Sequence, residues 1–149
     1  MADAAHESAT QFCTFFVDKL YFGIDVSRVQ EALLYQDVTP VPKASHRVRG
    51  LINVRGQIFT SIDLRRCLGF EDLEGDTRPV NIVVRDGEST VSLLVDRMSE
   101  VLELGDEDFE PPPDTLRGVS RELIRGAYKL ENRLMLVLDT EKTVEAAVN

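Results

Sequence analysis

The most constraining feature of the sequence is a strand, turn and strand pattern between Arg49 and Arg65. Two runs rich in β-branched residues flank the turn Asn53-Val54-Arg55-Gly56, whose glycine can adopt the positive φ that a tight hairpin needs. Asp63 ends the second run and can accept the free N–H groups of a short helix, which Gly69 is placed to end. The chain is therefore predicted to contain a hairpin with an arginine at its tip, followed by a short helix.

This pattern occurs twice in the chain. Four segments of the first half match four of the second, namely Phe22–Asp25 with Leu93–Asp96, Val41–Pro42 with Pro112–Pro113, Arg49–Gly50 with Arg125–Gly126, and Ile62–Asp63 with Leu138–Asp139. Each half has roughly 65–70 residues, which is too few to form a stable core easily by itself. The sequence therefore predicts an all-β protein of two small barrels that pack together, with a third apolar zone between them.

The expected organisation follows from this repeat. We expect the first barrel at residues 11–70 and the second at 77–139, with an acidic, polar connection from Glu71 to Arg78. The sequence leaves open whether the barrels exchange strands, and which of them receives the N-terminal strand. Residues 1–10 are predicted to be disordered, and residues 140–149 to form a C-terminal helix or tail.

Aspartates mark the predicted short helices. Asp25, Asp63 and Asp139 each follow an apolar run and can cap the next turn. Asp96 recurs in the same way and is interpreted as a further cap, whereas Gly50 and Gly126 recur together, so the repeat explains both glycines by backbone geometry.

Charge is distributed unevenly along the chain. The net charge is −9, which disfavours binding to nucleic acid or to an anionic membrane. Between Lys43 and Arg66, however, six basic residues and one acidic residue give +5, so the rest of the chain carries −14. This basic segment predicts either a site for an acidic partner or an ordinary solvated strand face.

The residues of common catalytic and metal sites are missing. Cys13 and Cys67 are far apart in the sequence and are expected to be buried, reduced thiols, and only His6 and His46 could join them in a zinc site. We find no nucleophile with a base, no phosphate-binding glycine loop and no calcium loop. The sequence therefore predicts neither an enzyme nor a cofactor or metal site.

The N-terminus lacks the pattern of a signal peptide or an anchor, so we expect a cytoplasmic protein without direct membrane insertion.

Arg55 is the strongest functional candidate. Its counterpart in the repeat is Glu131, and Gly56 corresponds to Asn132, which also tolerates a left-handed backbone. The turn therefore needs a residue such as glycine or asparagine, but the fold does not need an arginine beside it.

A small barrel that binds single-stranded nucleic acid is the rival interpretation. It is weakened because tryptophan is absent and the phenylalanines of the first strands are expected in the core.

The segment from Arg49 to Ile58, followed by Ile62-Asp63-Leu64-Arg65, resembles the signature of the CheW family, and a looser resemblance extends from Gln11 to Val144. The resemblance implies a CheW-like domain over residues 11–144, made of two SH3-like five-stranded barrels. It also implies a non-catalytic adaptor that couples the cytoplasmic tips of methyl-accepting chemotaxis receptors to the regulatory domain of the histidine kinase CheA. Association with receptor arrays at the inner face of the membrane, and self-association in rings, would follow.

The resemblance also implies roles for five residues. Val29, Glu31 and Arg55 match positions associated with receptor binding, whereas Gly50 and Gly56 match positions associated with kinase coupling. A helical receptor tip would lie in a groove between the barrels. The chain departs from the family pattern at Thr60, where proline is common, and at Ser92, where a small residue, often glycine, is expected. A scaffold of a non-flagellar chemosensory pathway is therefore an alternative.

Overall fold

A computed structural model describes residues 8–75, 77–116 and 119–148, with the side chains of 119 and 120 excepted. Within these ranges the chain forms ten strands and a few short helices. The strands are β1 (Ala9–Val17), β2 (Leu20–Asp25), β3 (Val29–Leu33), β4 (Val48–Val54), β5 (Gln57–Asp63), β6 (Val80–Asp86), β7 (Ser89–Val95), β8 (Arg97–Gly105), β9 (Ile124–Lys129) and β10 (Leu134–Leu138). The α-helices are α1 (Leu64–Cys67), α2 (Val119–Glu122) and α3 (Thr140–Val148), and 3₁₀ turns span Val26–Arg28 and Asp106–Asp108.

The strands form two five-stranded sheets that interleave along the chain. One sheet has the order β8-β1-β2-β10-β9 and the other the order β3-β6-β7-β5-β4. Each sheet combines the leading hairpin of one half of the sequence with three strands of the other half. The barrels therefore do not follow the predicted boundaries of 11–70 and 77–139, and the connection from Glu71 to Arg78 joins elements of the same sheet.

The internal repeat is visible in the strand pairing. Each sheet contains one parallel pair, β2 with β10 and β5 with β7, at equivalent places in the strand order. Isolated bridges also recur, between Thr39 and Leu51 and between Glu110 and Ala127. The predicted all-β fold with two barrels is confirmed, and the exchange of hairpins ties the two halves together.

Three apolar clusters form the core. The largest lies between the sheets and takes buried residues from both, including Phe15, Ile62, Leu93 and Leu136. The β8-β1-β2-β10-β9 sheet has its own cluster of Phe12, Tyr21, Tyr128, Met135 and Val137. The other sheet has a smaller cluster of Ile52, Val54, Phe59 and Val83. The largest cluster corresponds to the predicted apolar zone between the barrels.

Three of the repeated aspartates cap helical turns as predicted. Asp25 accepts from the N–H of Ser27, Asp63 from that of Arg66 and Asp139 from that of Lys142, at 2.9, 3.1 and 3.0 Å. Asp96 is different because β8 follows it directly, and its carboxylate accepts the N–H of Asp18 instead. The repeat therefore keeps the aspartate at this position without a following helix.

Two stretches differ from the sequence-based expectation. Residues 1–7 of the predicted disordered terminus lie outside the described residues, but Ala9 and Thr10 already belong to β1. The acidic region from Glu100 onward was not predicted as a strand, yet it forms most of β8. This segment is a strand because of a long-range contact: pairing with β1 along most of its length supplies hydrogen bonds that the local composition did not suggest.

Among the described residues, no helix is both long and apolar enough to cross a membrane.

The two thiols are free, but only Cys67 is buried as predicted, whereas Cys13 is half-buried. Cys67 is buried, and burial raises its pKa from 9.0 to about 12, while burial also raises the pKa of Cys13. A thiol reagent such as DTNB is therefore expected to react slowly with the native protein and rapidly after denaturation, because the thiolate is the reactive species.

Cys67 also predicts a pH dependence of stability. Above about pH 9 the unfolded chain loses the thiol proton whereas the folded chain keeps it until about pH 12, so the free energy of unfolding should fall as the pH rises. Urea unfolding at pH 7 and pH 10 measures this fall, and Cys67→Ala should reduce it. An equal fall in both proteins would show that other groups cause it.

Candidate functional site

The tip of the β4–β5 hairpin carries an arginine in an unfavourable backbone conformation. Arg55 and Gly56 both have positive φ, 51° and 87°, and the N–H of Gly56 donates to Asn53 Oδ1 at 3.0 Å. A left-handed conformation is easy for glycine but costs about 1 kcal/mol for a residue such as arginine. The Arg55 side chain is 68% exposed, so burial does not offset that cost. Local stability therefore does not explain an arginine at this position.

Arg55 forms an ion pair with Glu31, which lies on β3. Strands β3 and β4 are the two outermost strands of their sheet, so this pair joins the sheet's opposite edges. An exposed pair of this kind contributes at most about 1 kcal/mol to stability. Its clearest effect is to hold the guanidinium in a defined position on the surface.

The other barrel lacks this ion pair. Glu31 is paired with Val83 in β6, and the equivalent residue of the other sheet is Leu102, which is paired with Phe12 in β1. Because the counterpart of Arg55 is Glu131, the matching positions hold a leucine and a glutamate. The fold itself therefore does not require the pair.

Val29 is less available than its predicted role requires. It lies on β3 beside a register shift, opposite Val84, and its half-buried side chain packs against the central apolar cluster. The structure thus brings Glu31 and Arg55 together, whereas part of the Val29 side chain is already buried against the core.

The two glycines of the predicted kinase site have different structural reasons. A Cβ on Gly50 would lie 2.4 Å from the carbonyl oxygen of Thr39, and one on Gly126 would lie 2.4 Å from that of Glu110. Gly50 and Gly126 are therefore needed for the close approach of the bridged segments. At Gly56 only the positive φ matters, because no atom lies within 4 Å of an added Cβ.

Gly50→Ala is expected to destabilise the protein by at least about 2 kcal/mol, because backbone atoms of Thr39 would have to move. Gly56→Ala is the matched control and should cost only about 1 kcal/mol, the strain of a positive φ. Urea unfolding of both variants measures the difference. Equal destabilisation would contradict the close approach at Gly50.

The basic segment from Lys43 to Arg66 is not a continuous positive surface. Four of its arginines contact acids from outside the segment, in the pairs Arg49–Asp72, Arg55–Glu31, Arg65–Asp18, Arg65–Asp96 and Arg66–Asp72. Arg66 also holds the pKa of Asp72 below its usual value, chiefly through their hydrogen bond. Four of the five arginines in this segment therefore already have acidic partners within the protein, which favours the solvated surface over a site for an acidic partner.

Sequence reasoning missed two exposed apolar residues, one just after β3 and one on the β4–β5 hairpin. Leu34 follows β3 and is 81% exposed, and Ile58 in β5 is 57% exposed. Ile58 also lines a shallow groove with Gln36, Asp37, Thr39, Leu51, Ile52 and Asn53. The signal for Ile58 was present, because neighbouring strand residues point to opposite faces and Phe59 is buried. Exposed apolar residues therefore lie three positions beyond each member of the charged pair, Leu34 after Glu31 and Ile58 after Arg55.

The two residues that depart from the family pattern, Thr60 and Ser92, lie on interior strands of their sheet, β5 and β7. Ser92 is fully buried and donates from Oγ to Asn81 Oδ1 at 2.8 Å, so its hydroxyl belongs to a buried polar contact. Thr60 is paired with Leu51 on one side and Val91 on the other. A proline could not donate to such a ladder, so the strand favours a residue with an N–H.

The geometry gives no support to the rival classes of site. Phe12, Phe15 and Phe22 are buried and cannot stack on bases, whereas Phe16, which was also expected in the core, is half-buried. Within the described part of the chain, no group of three or more metal-binding side chains lies together. What remains is a double barrel that offers an exposed loop, an ion pair and apolar contact area, which are the features of a protein that acts through its surfaces.

Comparison with known proteins identifies the family. The family model described as CheW-like domain matches residues 11–148. The chemotaxis protein CheW of Thermotoga maritima is 32% identical over 148 residues, covering 97% of this chain and 93% of the relative. The CheW of Klebsiella aerogenes is 31% identical over 136 residues, covering 91% and 82%.

A solved structure has the same fold. The scaffolding protein TtCheW of Thermoanaerobacter tengcongensis superposes with a TM-score of 0.78 at 23% identity, covering 87% of this chain and 88% of that one. The chain belongs to the CheW family. Membership of this family makes it a chemotaxis protein and not an enzyme, as the sequence predicted.

Proposed function

We propose that this protein is a cytoplasmic adaptor that couples the cytoplasmic tips of chemoreceptors to the histidine kinase CheA in a bacterial chemosensory array. The observation that carries the proposal is Arg55, an exposed arginine in a strained conformation whose ion pair has no counterpart in the second barrel. A residue that is locally unfavourable and not required by the fold is best explained by a contact with another molecule.

Receptor binding would use the surface around the hairpin tip of one barrel, rather than the groove between the barrels that the resemblance implies. An amphipathic receptor helix would place its apolar ridge against Ile58, Leu34 and the exposed part of Val29. Glu31 and Arg55 would then fix the register of that helix. Charges at the rim of such a contact affect specificity and association rate more than affinity.

Kinase binding would use the outer strands of the β3-β6-β7-β5-β4 sheet. The regulatory domain of CheA is expected to have the same fold, so two similar barrels would meet in a pseudo-symmetric contact. Gly50 would act indirectly, because it sets the distance between β4 and the segment at Thr39. Gly56 would act through the shape of the tip. Such contacts are modest in area, and repetition in an array would strengthen them.

Reconstitution tests the coupling. Receptor cytoplasmic fragments are assembled on lipid vesicles, and the kinase is added with or without this protein before sedimentation. We expect the kinase to enter the pellet and to phosphorylate itself faster only when this protein is present. Sedimentation of this protein without recruitment of the kinase would contradict the coupling function, and failure to sediment would contradict receptor binding.

A further inference from the structure

A second set of arginines lies on the other barrel. The guanidinium carbon of Arg97 lies 3.8 Å from the ring centroid of Phe16, and that of Arg133 lies 4.4 Å from the centroid of Tyr21 and 5.5 Å from that of Phe16. Strand pairing creates the cluster, since Phe16 in β1 is opposite Arg97 in β8 and opposite Tyr21 in β2. Both arginines are exposed, and Phe16 is half-buried between them and the barrel. We call these four residues the arginine–aromatic cluster.

Among the residues that the structure describes, the two arginines of the cluster have no carboxylate partner. Within residues 8–75, 77–116 and 119–148, no carboxylate lies at ion-pair distance from Arg97 or Arg133. This contrasts with the four paired arginines around α1 and the β4–β5 hairpin. Contact with an aromatic face holds a guanidinium in place but leaves its N–H groups free to donate. The cluster therefore presents two ordered cations with unused hydrogen-bond donors.

The cluster is separate from the proposed receptor site. Arg65, just after β5, contacts Asp18, two residues beyond Phe16, so the cluster lies near the α1 end of β5. Arg55 lies at the other end of that strand, and a seven-residue strand spans roughly 20 Å. A ligand at the cluster would therefore use a different face of the molecule.

We propose that the arginine–aromatic cluster docks an acidic peptide segment of a partner protein, with carboxylates bound by Arg97 and Arg133. Arginine and aromatic residues are enriched among those that dominate protein interfaces, and the prior ordering of both side chains reduces the entropy lost on binding. The net charge of −9 repels long polyanions and anionic membranes, because they interact with charges over the whole molecule. It repels a short acidic segment less, because that segment contacts only the cluster. This inference goes beyond the proposed receptor and kinase contacts and does not depend on them.

Fluorescence anisotropy with a labelled peptide of Glu-Ser repeats tests the proposal, and a Gln-Ser peptide of equal length is the reference. At physiological salt the protein should bind the Glu-Ser peptide saturably and the Gln-Ser peptide much more weakly. Arg97→Gln and Arg133→Gln should each weaken binding by about tenfold. Arg97→Lys should weaken it by less than Arg97→Gln, because it keeps the charge and loses only the planar fork.

Arg85→Gln is the matched control, since Arg85 is an exposed arginine on β6 of the other sheet. It should leave peptide binding unchanged, and unfolding temperatures should show that all variants fold. The proposal is overturned if the Glu-Ser peptide does not bind, or if the Arg97→Gln/Arg133→Gln double variant binds it as well as wild type. It is also overturned if anionic vesicles or duplex DNA bind more tightly than the peptide and lose binding in that double variant.

Discussion

Arg55→Glu should abolish co-sedimentation of this protein with receptor cytoplasmic fragments while leaving the fold intact. The side chain is exposed at a hairpin tip, and its pair with Glu31 is worth at most about 1 kcal/mol, so the unfolding temperature should change by only a few degrees. The substitution reverses the charge at the proposed contact and places two carboxylates next to each other. Sedimentation with vesicle-bound receptor fragments and thermal unfolding by circular dichroism measure the two effects.

Two further variants separate charge from turn geometry. Arg55→Asn suits the left-handed conformation and should keep or raise stability, yet it should weaken receptor binding because the cation is lost. Glu131→Arg makes a comparable charge change at the equivalent turn of the other barrel and should leave binding unchanged. If Arg55→Asn binds receptor like wild type, or if Arg55→Glu unfolds the protein, Arg55 does not have the proposed function.

A fragment that ends at Gly75 is expected to be unfolded, although it contains nearly all of one half of the repeat. Strands β3, β4 and β5 would lack β6 and β7, and the hairpin β1–β2 would lack its partners β8 and β10. The central apolar cluster would also be divided, since it takes residues from both halves. Circular dichroism and the absence of a cooperative urea transition test this expectation.

Mixing the two fragments provides the control. The fragment 1–75 and a second fragment from residue 77 onward should fold together, because the cut lies in an exposed connection and every strand is then present. The mixture should recover the sheet signal and a cooperative transition. A cooperative transition of the 1–75 fragment alone would contradict the exchange of hairpins between the halves.

The exchange of hairpins explains why the sequence predicted the barrels but not their boundaries. Alternation and turn residues reveal a strand because they depend on neighbours in the chain. The partner of a strand depends on which apolar faces meet in space, and both arrangements of the hairpins β1–β2 and β6–β7 satisfy the same local pattern. Strand β8 illustrates the same limit, since its acidic residues gave no strand signal and its pairing with β1 decided its structure.

The candidate site was also predicted only in part from the sequence. The repeat alone separated Arg55 from Gly50, because a residue replaced by its opposite charge in the second copy cannot be a requirement of the fold. Only the tertiary structure showed that Arg55 is strained, that Glu31 holds it, and that Val29 is partly used by the core.

The sequence by itself determined the doubled all-β fold, the helix caps and the exposed basic tip, since each depends on residues close together in the chain. Tertiary structure decided which strands share a barrel and which charges neutralise each other. It also decided where unpaired arginines remain, because such contacts join residues that are far apart in the sequence, such as Arg65 with Asp96 and Arg97 with Phe16.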